Sequence, residues 1–150
     1  MRVFTAPTEV SAAVGVPLGH SGWRVVEQAQ VDAFAEATGD RQWIHVDLAR
    51  AAAGPFGRPI AHGYLVLGLL PALTAEIYRV EGARLAVNYG LDRVRFPAPL
   101  PAGSAVRAGA VLHSVDEVPG GLHVVTEVTV ERRGGDKPCC VARTVTRLYL

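Results

Sequence analysis

The spacing of apolar residues divides the chain into two parts. Up to about residue 80, apolar side chains recur at helical intervals between short loops, whereas residues 83–150 alternate apolar and polar positions as β-strands do. Four strands are predicted, over residues 85–96, 104–115, 122–132 and 139–148. The glycine-containing connections at 119–121 and 134–136 are short, so the last three strands are expected to be antiparallel neighbours.

Residues 63–79 form the most apolar helical segment, and their pattern leaves no polar face. Such a helix must be wrapped by other structure, and Pro71 within it predicts a local kink. The pattern upstream predicts a short helix at 8–14, a strand at 23–26, a helix at 27–38 ended by Gly39, and an Ala-rich helix from Asp47 to Ala53. These elements predict an α+β fold in which a curved sheet surrounds a long central helix, within a single domain spanning residues 1–150.

Composition narrows the classes of protein. The 49% hydrophobic and 19% charged content is typical of a folded domain, and a net charge of +1 with scattered arginines gives no basis for binding nucleic acid or an anionic membrane. The first ten residues lack the basic and apolar regions of a signal peptide. The adjacent Cys139 and Cys140 would point to opposite faces of a strand and are expected to remain reduced. We therefore expect a cytoplasmic protein.

Two ionisable residues lie between predicted helices. Asp40 follows the helix-ending Gly39, and His45 comes five residues later, so a carboxylate and an imidazole can converge on one water. Gly63 begins the apolar helix, where its N–H has no intrahelical partner and is available to an oxygen that gains negative charge. Spacing alone favours structural roles over catalysis: Asp40 binding loop amides, His45 partly buried in a turn, and Gly63 meeting a backbone requirement.

Three segments together carry a resemblance to a known family. They are Thr38-Gly39-Asp40-x-x-x-x-His45-x-Asp47, then Gly-Pro-Phe-Gly-Arg-Pro-Ile-Ala-His-Gly at 54–63, and Val-Arg-Phe-Pro-Ala-Pro-Leu-Pro-Ala-Gly at 94–103. In this order, over most of the chain, they resemble the hydratase-2 motif and the following segments of MaoC-like dehydratases. The similarity is closest to the branch that resembles nodulation protein N.

The resemblance implies a hot-dog fold, a homodimer and an (R)-specific enoyl-CoA hydratase. The implied reaction is the reversible syn addition of water to a trans-2-enoyl thioester of coenzyme A or acyl carrier protein, which gives an (R)-3-hydroxyacyl thioester. By this resemblance Asp40 and His45 hold and activate the water, and the Gly63 N–H stabilises the thioester oxygen. The reaction needs a base, an acid and an oxyanion donor, and no cofactor or metal is expected.

One departure from the family pattern concerns the loop between the two catalytic candidates. The family usually has Asp-x-Asn-Pro-x-His, whereas this chain has Gln42 and Trp43 at the third and fourth positions. The path of the loop and the length of the acyl group therefore stay open. Four further residues are candidates for binding substrate: Gln42, His62, Asn88 and Arg95.

Two other functions remain possible at this stage. One is a hot-dog acyl-CoA thioesterase, in which water would attack the thioester carbonyl and release free thiol. The other is a non-catalytic dimer that binds acyl thioesters. The Asp40 and His45 pair, and Tyr64 in place of a second glycine after Gly63, favour the hydratase.

Overall fold

The computed structural model describes all 150 residues. It contains six short helices and eight strands. The helices are α1 (Pro7–Ala12), α2 (Gln28–Thr38), α3 (Trp43–Val46), α4 (Leu48–Ala52), α5 (Gly63–Gly68) and α6 (Leu70–Thr74). The strands are β1 (Arg2–Phe4), β2 (Pro17–His20), β3 (Arg24–Val26), β4 (Tyr78–Val80), β5 (Leu85–Arg95), β6 (Ser104–Val118), β7 (Gly121–Arg132) and β8 (Cys140–Tyr149). None of the helices is long and apolar enough to cross a membrane.

The main sheet is antiparallel, with the strand order β2-β6-β7-β8-β5 and with β3 also pairing with β6. Side chains on β6, β7 and β8 alternate between a buried inner face and a more exposed outer face, as their sequence pattern predicts. The inner face packs against Val66 of α5 and against Leu70 and Leu73 of α6 in one apolar core. The expected α+β arrangement of a sheet around an apolar helical segment is therefore confirmed.

The central helix is shorter than the sequence pattern predicted. It was expected over residues 63–79, but it breaks between Gly68 and Leu70 and ends at Thr74. The break lies next to Pro71, where a kink was expected. At the other end, the Thr74 hydroxyl donates to the carbonyl of Leu70 at 2.8 Å, and the chain then forms β4.

Strand β4 pairs in parallel with β1 at the N-terminus, a two-stranded sheet that the local pattern did not predict. The short strand β2 was not predicted either. Both are held by partners far away in sequence, and this is why a local pattern of three or four residues did not reveal them.

Strand β5 forms one edge of the sheet and pairs only with β8. Apolar side chains along it are largely exposed, among them Leu85 at 55%, Tyr89 at 66% and Leu91 at 47%. An exposed strand edge of this length is a surface that natural proteins usually pair or cover.

The two cysteines are buried and do not form a disulfide. Burial raises the pKa of Cys139 to about 11 and that of Cys140 to about 12, so both thiols stay protonated at neutral pH.

Candidate active site

Helix α2 ends in a way that positions Asp40. Gly39 adopts a left-handed conformation with a φ of 79°, and its N–H donates to the carbonyl of Ala35 at 2.8 Å. This C-terminal cap, as predicted, turns the chain away from the helix axis. Asp40 follows at the surface, and its carboxylate makes no hydrogen bond within the chain.

His45 lies in the one-turn helix α3, and not in an irregular loop as its position suggested. Its Nδ1 lies 2.6 Å from the carbonyl oxygen of Ile60. Because a carbonyl oxygen can only accept, Nδ1 carries the proton and Nε2 keeps a free lone pair. The carbonyl of His45 in turn accepts a hydrogen bond from Gln28 Nε2 at 2.8 Å, which ties α3 to α2.

His62 lies behind His45 and is 2% exposed. The two imidazoles stack, with ring centroids 3.8 Å apart and an interplanar angle of 25°, and the Phe34 ring lies 4.8 Å away on α2. His62 Nε2 donates to the backbone carbonyl of Asp40 at 2.8 Å, whereas its Nδ1 is buried without a partner. His62 therefore contacts both the main chain of Asp40 and the ring of His45 from the buried side of the site.

Asp40, His45 and His62 each have a ligand atom within 4.8 Å of the other two. Such a group is the usual starting point for a metal site. Here, however, the two imidazoles are nearly parallel, so lone pairs in their ring planes do not converge on one ion. The geometry fits a site in which a carboxylate and an unprotonated imidazole nitrogen act on one small molecule.

Gly63 begins α5 against an aromatic ring. A Cβ at this position would lie 2.8–3.0 Å from three atoms of the Phe96 ring, which follows directly after β5. The Gly63 N–H belongs to the first helical turn, where no intrahelical carbonyl can accept from it. The absence of a side chain thus lets the Phe96 ring lie against the start of the helix, where it makes an edge-on contact with Tyr64 at 6.2 Å between ring centroids.

The two residues that depart from the family pattern set the start of α3. Gln42 is the N-cap residue, and its side chain is exposed without a hydrogen bond. Trp43 is the first helical residue, a position that a proline also suits. Its ring packs on Gly54, where a Cβ would approach within 2.9 Å, and the Arg50 guanidinium lies over it at 4.4 Å. Trp43 therefore anchors the loop by packing instead of by a fixed φ angle.

The remaining candidates lie in two different places. Asn88 lines a pocket of about 430 Å³ between the α5–α6 segment and strands β5 and β8, and Tyr64, the residue after Gly63, lines it as well. Arg95 lines a separate groove of about 330 Å³ together with Arg93 and Arg143, and its guanidinium donates to the Val94 carbonyl at 2.7 Å. The structure thus does not bring Arg95 together with Asp40 and His45.

Several residues of the site were not found from the sequence. Ile60 and Gln28 act through a backbone carbonyl and a side-chain amide, which no motif marks. Phe96 was included in a family-like segment without a role. A period of two along β8 could have marked Thr144 and Thr146, because it places their hydroxyls on the same face as the buried Cys140, Ala142 and Leu148.

Burial lowers the pKa of His45, and the positive charge that His62 would carry lowers it further, while the Ile60 carbonyl and Asp40 act in the opposite direction. The neutral imidazole therefore persists below pH 6.5, the usual pKa of a histidine.

If His45 acts as a base, kcat/KM should stay constant from neutral pH down to below 6.5 and then fall. The folded state should also lose stability as pH falls from 6.5 towards the lowered pKa, because the unfolded chain binds that proton more readily. NMR titration of the His45 ring tests both statements; a pKa at or above 6.5 would contradict them.

Comparisons with known proteins agree with this geometry. Residues 9–133 match the MaoC like domain. The chain is 50% identical over 148 residues to 3-hydroxyacyl-thioester dehydratase Z of Mycobacterium tuberculosis, covering 98% of each chain. It is 42% identical over 141 residues to Nodulation protein N of Rhizobium leguminosarum bv. viciae, covering 92% of this chain and 88% of that one. The (R)-hydratase from A. caviae involved in PHA biosynthesis superposes with a TM-score of 0.73 at 24% identity, over 90% of this chain and 96% of that one.

The structural likeness confirms the hot-dog fold expected from the sequence. The match over most of the chain then shows that this protein belongs to the MaoC-like dehydratase family. It is accordingly an enzyme of the hydratase and dehydratase class, as the three sequence segments indicated.

Proposed function

We propose that this protein is an (R)-specific enoyl-CoA hydratase, which adds water reversibly to trans-2-enoyl thioesters and gives (R)-3-hydroxyacyl thioesters. The observation that carries the proposal is the pairing of a free Asp40 carboxylate with a His45 ring whose Nε2 is unprotonated, within 4.8 Å of one another. A water between these two groups has an acceptor for each of its protons. The 3-hydroxyacyl thioester in the name of the M. tuberculosis relative is the same kind of compound as the product proposed here.

The chemistry follows from the protonation state of His45. In the hydration direction, Nε2 takes a proton from water as the water oxygen bonds to C3, and the resulting imidazolium returns a proton to C2. The Asp40 carboxylate accepts a hydrogen bond from the other O–H of the water, whose hydrogen stays on the product hydroxyl, and its negative charge favours the transient imidazolium. Delivery of both groups from one side of the substrate gives syn addition. The same steps in reverse remove water from the 3-hydroxyacyl thioester.

Negative charge builds on the thioester oxygen while C3 is attacked. The Gly63 N–H is the donor proposed for this oxygen, because it lacks an intrahelical partner and the next residue, Tyr64, lines the pocket. The Phe96 ring lies against Gly63 and contacts Tyr64 edge-on, so apolar surface borders the donor on this side.

The direct test is a spectrophotometric assay with crotonyl-CoA, combined with chiral analysis of the product. We expect loss of the enoyl absorbance, an (R)-3-hydroxyacyl product and, in heavy water, deuterium at C2. Saturated acyl-CoA should release no free thiol. Release of thiol would favour the thioesterase instead, and binding of enoyl-CoA without any turnover would favour a non-catalytic binding protein.

We also propose that the enzyme is a homodimer in which the β5 edges of two sheets are joined. The support is the free edge of β5 with its exposed Leu85 and Tyr89, together with Tyr64, which is 71% exposed beside the same pocket. Light scattering at micromolar concentration should show twice the mass of one chain. Tyr89→Glu should shift the protein towards monomer. Val25→Glu should not, because Val25 is an exposed residue of β3, which lies towards the opposite edge of the sheet from β5. A wild-type monomer would contradict this assembly.

A further inference from the structure

The pocket that Tyr64, the residue after Gly63, helps to line has hydrogen-bonding side chains on its strand side. From the helices it is lined by Leu67, Leu70, Pro71 and Thr74, and the Thr74 hydroxyl already donates to the Leu70 carbonyl. From the strands it is lined by Asn88 and Leu91 of β5 and by Thr144 and Thr146 of β8. A pocket for a plain hydrocarbon chain would be expected to be apolar on both sides.

The Thr144 hydroxyl donates to the Thr126 carbonyl at 3.4 Å, whereas the other two polar side chains make no bond that the fold needs. Asn88 and Thr146 are direct partners in the register of β5 and β8, and neither side chain has a hydrogen-bond partner within the chain. Other inner positions of β8 are apolar and buried, namely Cys140, Ala142 and Leu148. The polar groups are therefore confined to the stretch of β8 that faces the pocket.

The polar side chains lie some way along the sheet from Gly63. Tyr64, next to Gly63, and Tyr78, whose hydroxyl lies 3.0 Å from that of the buried Thr126, both line the pocket. Since a strand rises about 3.3 Å per residue, Thr146 lies roughly 13 Å along β8 from Ala142, which pairs with Val94, two residues before the Phe96 that lies against Gly63.

We propose that this pocket binds the acyl chain and selects chains that carry a hydrogen-bonding oxygen, such as a hydroxyl or a carbonyl group, at the position of Asn88 and Thr146. The inference rests on the proposed hydratase function and adds the class of acyl group to it. A plain alkyl chain would displace water from both side chains and leave them unpaired. An oxygen at that position would replace the water, so the hydrogen bonds would be kept.

The test compares matched substrates. Hydration is measured with trans-2-octenoyl-CoA and trans-2-decenoyl-CoA, each with and without a terminal hydroxyl group. For at least one length, kcat/KM should be about tenfold higher for the hydroxylated substrate, which corresponds to one buried polar group left unpaired. In Thr146→Val, which keeps the shape of the side chain, this preference should fall by about tenfold. Thr129→Val, an exposed threonine on the outer face of β7, should keep the wild-type preference.

The outcomes separate the two levels of the proposal. Hydration of crotonyl-CoA with no preference for either substrate of a pair would overturn the inference and leave the hydratase function intact. Absence of hydration with every substrate would overturn the function itself. If Thr146→Val and Asn88→Leu alter both substrates of a pair equally and shift the mass in light scattering, the polar side chains belong to a subunit contact and the inference is wrong.

Discussion

Replacing Asp40 by Asn, or His45 by Gln, is expected to lower kcat/KM for hydration of crotonyl-CoA by about 10²–10⁴-fold in each case. Each change removes one of the two groups that act on the same water. The kcat/KM of the double variant should be only a little lower than that of the less active single variant, because both residues serve one proton-transfer event. Losses that multiply in the double variant would show that the two groups act separately.

Stability measurements distinguish a lost catalytic group from a damaged fold. The Asp40 carboxylate is exposed and has no partner in the chain, so Asp40→Asn should leave the melting temperature nearly unchanged. His45→Gln loses the hydrogen bond to the Ile60 carbonyl and should cost about 1–3 kcal/mol. The matched controls are Asp116→Asn and His113→Gln, two exposed residues of β6, which should retain wild-type turnover.

Replacing Gly63 by Ala is expected to reduce kcat/KM by about 10²-fold without unfolding the protein. The added methyl group would lie within 3.0 Å of the Phe96 ring, so the ring must move away from the start of α5. A displacement of about 1 Å next to a reacting group costs a loss of this size. The backbone at Gly63 is not in a left-handed conformation, and alanine favours helix, so the main chain itself tolerates the change.

A second substitution tests whether displacement of the Phe96 ring causes that loss. Gly63→Ala with Phe96→Ala has room for the methyl group, and it should recover activity towards the level of Phe96→Ala alone. Gly68→Ala, in the same helix with open space around the position, should keep or raise the melting temperature and so serves as the stability control. Full activity in Gly63→Ala would show that the close approach of Phe96 has no part in catalysis.

The sequence revealed those features that depend on local rules. The long strands followed from alternating burial, the end of α2 followed from Gly39, and Asp47 caps α4 by accepting from the Arg50 N–H at 3.0 Å, as its position predicted. Helix α3 was missed because a single turn has no periodicity to detect. The end of the central helix was misplaced because Leu73 and Ile77 continue the helical spacing, although the chain is redirected to meet β1.

The catalytic pair itself was chosen through resemblance, since spacing alone left structural roles open. The structure adds the contacts that a linear pattern does not contain. Nothing in the segment Ala61-His62-Gly63 indicates that the His62 ring would stack on His45 and bind the carbonyl of Asp40. Both contacts join segments about twenty residues apart, and they arise only when the start of α5 meets α3 and the end of α2.

The way in which Asp40 is held has a consequence for how such enzymes change over time. His62 fastens residue 40 by its backbone carbonyl, so the anchor is the same whatever side chain that residue carries. Substitution at position 40 can therefore exchange the reactive group while the surrounding loop keeps its shape. One substitution at this position can therefore remove or alter the activity while the folded pocket is kept. Inactive homologues of such an enzyme can thus arise readily during evolution.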